Sequence, residues 1–102
     1  MSKIYIAGPM SGLVGFNRPA FHRAAKNIVR RGDVALNPAV LPDGLEQAEY
    51  MDICLAMLRC ADGIFMLEGW QQSAGARAEY ALAEKLALDI RFQVIDRYTG
   101  AR

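Results

Sequence analysis

This sequence has few of the residues that build metal and redox sites. Its 102 residues include two cysteines and one histidine. Cys54 and Cys60 lie six residues apart within one predicted helix, a spacing typical of neither a metal-binding pair nor a redox motif. We interpret both as packing residues and expect no metal site and no cofactor. His22 falls in an exposed predicted helix, so we interpret it as a surface residue rather than a member of a catalytic triad.

The sequence also lacks a surplus of charge and a long apolar run. Twelve basic and eleven acidic residues give a formal net charge of +1, which does not supply the basic surface of a general nucleic-acid binder. No apolar run approaches the roughly 20 residues of a membrane span. The chain opens into a strand pattern rather than a signal peptide. We therefore expect a cytoplasmic protein that binds no nucleic-acid polymer and no membrane.

What the chain does contain is an alternation of strand and helix patterns. Its length and 53% hydrophobic composition suit one domain over residues 1–102. Strands are predicted over 3–7, 34–36, 64–67 and 91–95, and helices over 17–31, 46–60 and 74–88, with 98–102 as a short tail. This order predicts a single three-layer α/β domain with a short parallel sheet of four to five strands, Rossmann- or flavodoxin-like, flanked by helices.

The apolar positions within the first two helices predict which sides are buried. The first helix, with Asn17 as its expected cap and Pro19 near its start, repeats apolar residues with helical spacing at Phe21, Ala25, Ile28 and Val29. The second carries one stripe of Met51, Cys54, Leu55 and Leu58, and a further stripe of Ile53 and Met57. The further stripe indicates either a wide core-facing surface or contact with another subunit.

The segment from Gly69 to Glu79 carries the strongest functional signal. Ser73 is a favoured helix N-cap, and the amides that follow it attract an anion. The Glu79 side chain leans back towards Gly75 and Ala76, which are small enough to leave its carboxylate reachable. The pattern predicts that a phosphate binds at the helix start, with a sugar near Glu79. The alternative is an ordinary capped helix with a solvated glutamate.

Two other loops are expected beside this segment. Loops that begin at Gly8 and Asn37 follow predicted parallel strands, and ligands bind at the carboxyl ends of such strands. The first of them, Gly8-Pro9-Met10-Ser11-Gly12, lacks the Gly-x-Gly-x-x-Gly fingerprint of dinucleotide enzymes, and the chain contains no Walker sequence.

Four segments together resemble a known family. The small branch of the nucleoside 2-deoxyribosyltransferase-like superfamily termed DUF4406 is similar to this chain over nearly its whole length. The segments that carry the resemblance are Tyr5-Ile6-Ala7-Gly8-Pro9-Met10, Asn37-Pro38-Ala39, Cys60-Ala61-Asp62 and Gly69-Trp70 through Glu79. Ser73, Gly75 and Glu79 match the Ser-x-Gly-x-x-x-Glu motif of the hydrolases in this superfamily.

The resemblance implies cleavage of the N-glycosidic bond of a (2'-deoxy)nucleoside or its 5'-monophosphate, by hydrolysis or by transfer. Glu79 would attack the anomeric carbon to form a covalent glycosyl-glutamate. Such a nucleophile must be ionised, and its closeness to a helix N-terminus favours the charged form. The alternative is a non-catalytic nucleotide-binding or sensing module that uses the same crevice. The resemblance also implies a homodimer.

The resemblance assigns further residues to the site. Asp52 is the expected second acid, with Asp62 as the alternative, and Tyr5 either contacts the sugar or faces the core. Gly8, Pro9, Met10, Ser11 and Gly12 form the expected first phosphate loop, which lacks the family's basic residue. Arg77 or Arg18 would then supply the charge. Asn37 either contacts a base or forms a turn, and Trp70 either stacks on a base or packs.

Overall fold

The computed structural model describes residues 1–94, which form one four-stranded parallel sheet between helices. The sheet order is β2-β1-β3-β4, and every neighbouring pair is parallel. The strands are β1 (Lys3–Ala7), β2 (Val34–Leu36), β3 (Gly63–Met66) and β4 (Asp89–Phe92). The helices are α1 (Arg18–Arg30), α2 (Gln47–Arg59) and α3 (Ala74–Lys85). This arrangement confirms the predicted three-layer α/β fold.

Both faces of the sheet are covered, so both sets of alternating side chains are buried. Ile4 and Ile6 of β1 pack on one face against α1 through Phe21 and its neighbours. Tyr5 and Ala7 point to the opposite face, where they join a cluster with side chains of α2 and α3. Because strand side chains alternate, the buried run from Ile4 to Ala7 contributes to both cores.

The order of the strands creates a crevice at one edge. The chain passes from β1 outward to β2 through α1, then crosses to the other side of β1 to form β3 and β4. The chain therefore leaves β1 in one direction and β3 in the other. In parallel sheets, ligands commonly bind at the carboxyl ends of two neighbouring strands that diverge in this way. That place lies between the loops that follow β1 and β3.

Most predicted elements are confirmed, although β3 covers 63–66 instead of 64–67 and larger shifts occur at the ends of α3 and β4. The strands over 3–7 and 34–36 have the predicted bounds. Helix α3 ends at Lys85 instead of continuing to Leu88, because Ala87 adopts a left-handed conformation with φ of 58°. Strand β4 consequently begins at Asp89 rather than Arg91. The predictions for Ile95 and for the tail over 98–102 lie outside the described residues.

Two packing predictions and one capping prediction for the helices are wrong. Val29 is 60% exposed, because the buried stripe of α1 runs through Phe21, Ala24 and Ile28 instead. Cys60 ends α2 and is exposed. Asn17 stands at the N-cap of α1 but does not cap it; its Nδ2 donates to the Pro9 carbonyl oxygen at 3.0 Å.

The second helix is only partly buried. Leu58 is its one fully buried residue, whereas Met51, Cys54, Leu55 and Met57 are partly buried and Ile53 is exposed. Within residues 1–94, no helix is long and apolar enough to cross a membrane.

Candidate functional site

A hydrogen bond between two buried side chains lies at the centre of the crevice. The Tyr5 hydroxyl donates to Oε2 of Glu79 at 2.7 Å, although the two residues are 74 positions apart in sequence. Tyr5 is fully buried and Glu79 is 6% exposed. Of the two orientations expected for Tyr5, its ring does enter the core, yet its hydroxyl reaches the Glu79 carboxylate.

This pair faces a cavity of about 560 Å³. One wall is the start of α3, with Ser73, Gly75 and Ala76, which are three of the predicted ligand-contacting residues. The opposite wall is largely apolar and comes from the loops after β1 and β2 and from α1 and α2. Its members include Met10, Phe16, Phe21, Pro38, Leu41, Leu45, Tyr50, Met51 and Cys54. Such an apolar enclosure with a few converging polar groups is typical of a small-molecule site.

Burial controls the ionisation of Glu79. Desolvation raises the pKa of this carboxyl from 4.5 to about 7, and the hydrogen bond from Tyr5 opposes part of that rise. Burial therefore outweighs the expected effect of the helix N-terminus, which favours the charged form but weakens beyond the first turn. The pKa of Tyr5 is raised strongly, first by burial and then by the neighbouring carboxylate, so its hydroxyl stays protonated.

The start of α3 is built as predicted. Ser73 is the N-cap, and its Oγ accepts from the Ala76 amide at 3.1 Å. Within the described chain, no helix hydrogen bond reaches the amides of Ala74 and Gly75, since they belong to the first turn. Gly75 lines the cavity, and a Cβ there would stand 3.5 Å from the Met51 methyl carbon.

The loop after β1 contributes in part. Gly8, Met10 and Ser11 line the cavity, but Pro9 and Gly12 do not. Pro9 instead lines an adjoining, more polar hollow together with Ser73 and Gly75. Gly8 permits the close approach of the segments that directly follow β1 and β3, because a Cβ at this position would lie 2.8 Å from Cβ of Leu67.

Two predicted acidic partners of Glu79 are not at the site. Asp52 is exposed and lies outside the cavity wall, which α2 forms with Tyr50, Met51 and Cys54. Its phase on the helix turns it away, so its prediction as a catalytic residue is not supported by the geometry. Asp62 accepts from the Lys3 amide at 2.8 Å at the amino edge of the sheet, which lowers its pKa. That contact caps a strand.

Three further side chains have structural partners. Asn37 is buried outside the cavity wall; its oxygen accepts from the Ala39 amide at 2.9 Å, which corresponds to the turn alternative. Arg77 donates to the Gln71 carbonyl oxygen at 2.7 Å. Trp70 stacks on Tyr80 with ring centroids 4.7 Å apart. These contacts favour the packing interpretation of Trp70.

The cavity also contains charged residues that the sequence did not single out as a pair. Arg18 and Asp43 both line it and form an ion pair with each other. The guanidinium of Arg18 also lies over the Phe16 ring, 5.2 Å from its centroid. The one sequence feature that could have pointed to Asp43 is its position in a proline-containing loop at the carboxyl end of a predicted strand. Loop conformation has no periodicity, so the sequence pattern does not predict the contact with Arg18.

His22 and the cysteines provide no metal-binding cluster. His22 is exposed, and its Nδ1 lies 3.2 Å from Nδ2 of Asn37. Over residues 1–94, no three His, Cys, Asp or Glu side chains are grouped so that they could hold a metal ion.

A family model matches most of the chain. The model is described as "Domain of unknown function (DUF4406)" and matches residues 2–92. This range contains every cavity-lining residue described above. No curated protein matches the sequence.

Proposed function

The chain belongs to the DUF4406 family, and we propose that it cleaves the N-glycosidic bond of a (2'-deoxy)nucleoside or its 5'-monophosphate through a covalent glycosyl-glutamate on Glu79. The observation that carries the proposal is the buried carboxylate that accepts from Tyr5 and faces the cavity. The resemblance to nucleoside 2-deoxyribosyltransferases supports the choice of reaction.

A purely structural role for Glu79 does not account for its surroundings. A buried carboxylate normally needs an opposite charge or several hydrogen bonds. Within residues 1–94, Glu79 has no ion pair, and the one side-chain hydrogen bond it receives comes from Tyr5. A perturbed carboxyl group in a cavity is a typical mark of a reactive site.

The proposed reaction uses Glu79 as the nucleophile. A carboxylate oxygen forms a bond to the anomeric carbon while the C–N bond breaks, and the electron pair of that bond moves to the base nitrogen. The base then takes a proton from solvent. Water attacks the anomeric carbon next and releases a proton to solvent, while the bond between that carbon and the Glu79 oxygen breaks and leaves Glu79 as a carboxylate again. If a second base attacks instead of water, the result is transfer.

Tyr5 has a supporting role in this scheme. Its hydrogen bond favours the ionised form of Glu79, which is the form that attacks. The same bond fixes the orientation of the carboxylate towards the cavity. Because Tyr5 stays protonated, it is a hydrogen-bond donor in the proposal and not an acid or base.

The start of α3 is proposed to hold the 5' end of the substrate. Ser73 and Gly75 lie in the wall near Glu79, and the free amides of the first turn favour an oxygen-rich or anionic group. A ligand that extends from this helix start to Glu79 would place a 5' group and a sugar in sequence.

Release of free base tests the proposal. The wild-type protein is incubated with a panel of nucleosides, deoxynucleosides and monophosphates, and the products are separated chromatographically. Glu79→Gln should reduce release by at least about 1,000-fold, as loss of a nucleophile does. Glu84→Gln is the matched control, since Glu84 lies on the same helix, is exposed and does not line the cavity. Unchanged release by Glu79→Gln would refute the assignment.

One observation favours a second candidate function. Asp52, the expected second acid, lies outside the cavity wall, so the site contains a nucleophile without that partner. A non-catalytic nucleotide-binding module would need the cavity alone. Calorimetry that shows nucleotide binding, without release of base under conditions where a known N-hydrolase acts, would support this alternative.

We also propose a homodimer in the cytoplasm as the working form. Its support is the incomplete burial of α2, where Ile53 is 36% exposed. Sedimentation of the purified chain as a monomer at micromolar concentration would contradict the dimer.

A further inference from the structure

The Arg18–Asp43 pair joins the start of α1 to the loop before α2. Arg18 is the first residue of α1, after the loop that follows β1, whereas Asp43 lies in the loop between β2 and α2. Arg18 Nη2 donates to Oδ1 of Asp43, and both side chains line the cavity. Among the described residues of the cavity wall, Arg18 is the single cation.

Two residues directly before Arg18 have strained backbone conformations. Phe16 and Asn17 have φ values of 53° and 59°, in the left-handed region that side chains disfavour. The Asn17 side chain fastens the turn by donating to the Pro9 carbonyl oxygen. The turn places the Phe16 ring under the Arg18 guanidinium. Backbone strain of this kind persists where the surrounding contacts fix one conformation. Here the fixed conformation of the turn places the Arg18 guanidinium at the cavity.

The sheet order places this cation opposite the start of α3. Across the carboxyl edge, the loop after β2 with Asp43 comes first, then β1 with Tyr5, then the loop after β3 that leads to Ser73. Our inference rests on the proposed function, in which the 5' end lies at Ser73 and the sugar at Glu79. The base then extends towards Arg18 and Asp43.

We propose that Arg18 is a catalytic residue that stabilises the negative charge of the departing base. When the C–N bond breaks, its electron pair moves onto the base, and a fixed guanidinium beside an acceptor atom of the base stabilises that charge in the transition state. Arginine only donates hydrogen bonds, and it keeps its charge throughout. Asp43 is a positioning residue that orients the guanidinium.

The assignment differs from a phosphate-binding role for Arg18. A phosphate ligand would make Arg18 important for monophosphates and unimportant for nucleosides. If Arg18 stabilises the leaving base, its loss should lower the rate equally for nucleosides and monophosphates. The size of that loss should depend instead on the charge of the base. A purine nucleoside methylated at N7 already has a positively charged base, which departs as a neutral molecule and needs no cation.

The test compares kcat/KM of wild type and Arg18→Ala on three substrates: a purine nucleoside, its 5'-monophosphate and its N7-methylated form. We expect a loss of about 100-fold on the first two and little loss on the third. Added guanidinium ion should restore part of the lost activity, whereas sodium chloride at equal concentration should not. Asp43→Asn keeps the cation, so we expect a smaller loss with the same dependence on N7 methylation.

Arg91→Ala is the matched control, because Arg91 also forms an ion pair with an aspartate, Asp89, and lies outside the cavity wall. Arg18 is only partly buried and Asp43 is exposed, and ion pairs near the surface contribute little to stability, so both arginine variants should fold, as circular dichroism will show. An equal loss on all three substrates, or a loss confined to the monophosphate, overturns the leaving-group role while the proposed function stands. If wild type releases base from none of them, the proposed function fails, and this inference fails with it.

Discussion

Replacing Glu79 with glutamine should stabilise the protein above neutral pH. In the folded chain the pKa of Glu79 is about 7, against an ordinary value of 4.5. Between these two values the folded state binds more protons than the unfolded state, so the stability contributed by the neutral carboxyl is fully present below pH 4.5. It is lost as the pH rises through 7.

The size of this effect follows from the pKa difference. Ionising a carboxyl whose pKa is displaced from 4.5 to about 7 corresponds to about 3 kcal/mol of lost stability. Glutamine has nearly the same shape, cannot ionise, and still accepts from the Tyr5 hydroxyl. The variant should therefore match the wild type near pH 4.5 and exceed it by up to about 3 kcal/mol at pH 8. In a domain of this size, that difference raises Tm by roughly 10 °C or more.

Urea denaturation of both proteins from pH 4.5 to 8 measures the difference directly, because all other titrating groups are common to the two chains. Glu84→Gln, on the exposed side of the same helix, should show no such trend. A difference between wild type and Glu79→Gln that stays constant with pH, or a wild type that is the more stable protein at pH 8, would refute the burial argument.

Three further substitutions test the surroundings of Glu79. Tyr5→Phe removes the hydrogen bond that lowers the pKa of Glu79, so the acid limb of the kcat/KM pH profile should move to higher pH. The same change should cost about 1–3 kcal/mol of stability in urea. Gly8→Ala brings a methyl group to 2.8 Å from Cβ of Leu67 and should cost about 1–3 kcal/mol by denaturation. Gly75→Ala has room for its methyl group and should stabilise α3 by about 0.5–1 kcal/mol, while KM rises because the methyl group enters the cavity.

Each of these predictions has a contrary result. An unchanged acid limb in Tyr5→Phe would show that the Tyr5 hydrogen bond does not lower the pKa of Glu79. Gly8→Ala with wild-type stability would contradict the close packing of β1 on the loop after β3. Gly75→Ala with an unchanged KM would show that bound substrate does not contact the start of α3.

The fold was largely predictable because the first three strands are mostly apolar runs bounded by clear turn signals. Gly8-Pro9 ends β1 and Asn37-Pro38 ends β2, and both strand bounds were confirmed. The C-terminal end of α3 was missed because Ala87 occupies a left-handed position where glycine is the usual signal. The start of β4 was misplaced for the same reason.

The site was predictable where local spacing determines geometry and not where phase or loops determine it. The Ser73 cap and the placement of Glu79 beside Gly75 and Ala76 depend on positions within one helix, and the structure has both. Whether Asp52 faces the crevice depends on the rotational phase of α2. A shift of one or two residues along the helix turns a side chain from the crevice to the solvent. Arg18 and Asp43 meet only after two loops fold together, and no periodicity in the sequence encodes that meeting.

The ionisation of Glu79 shows a different limit. Helix position alone favours a charged carboxylate, whereas burial favours the neutral acid, and the second effect is larger here. The degree of burial depends on α2 and on the loops after β1 and β2, which enclose the cavity. A sequence reveals the helix but not the enclosure.

The central claim is that Glu79 forms a covalent bond to the sugar. Fluorine at the 2' position of the substrate's sugar destabilises the oxocarbenium-like state and so slows both steps. A good leaving base in the same substrate lets the first step proceed. Mass spectrometry of the intact protein should then show one added fluorosugar, and peptide mapping should locate it on Glu79. Release of base with no adduct on Glu79, or with undiminished rate in Glu79→Gln, would contradict the claim.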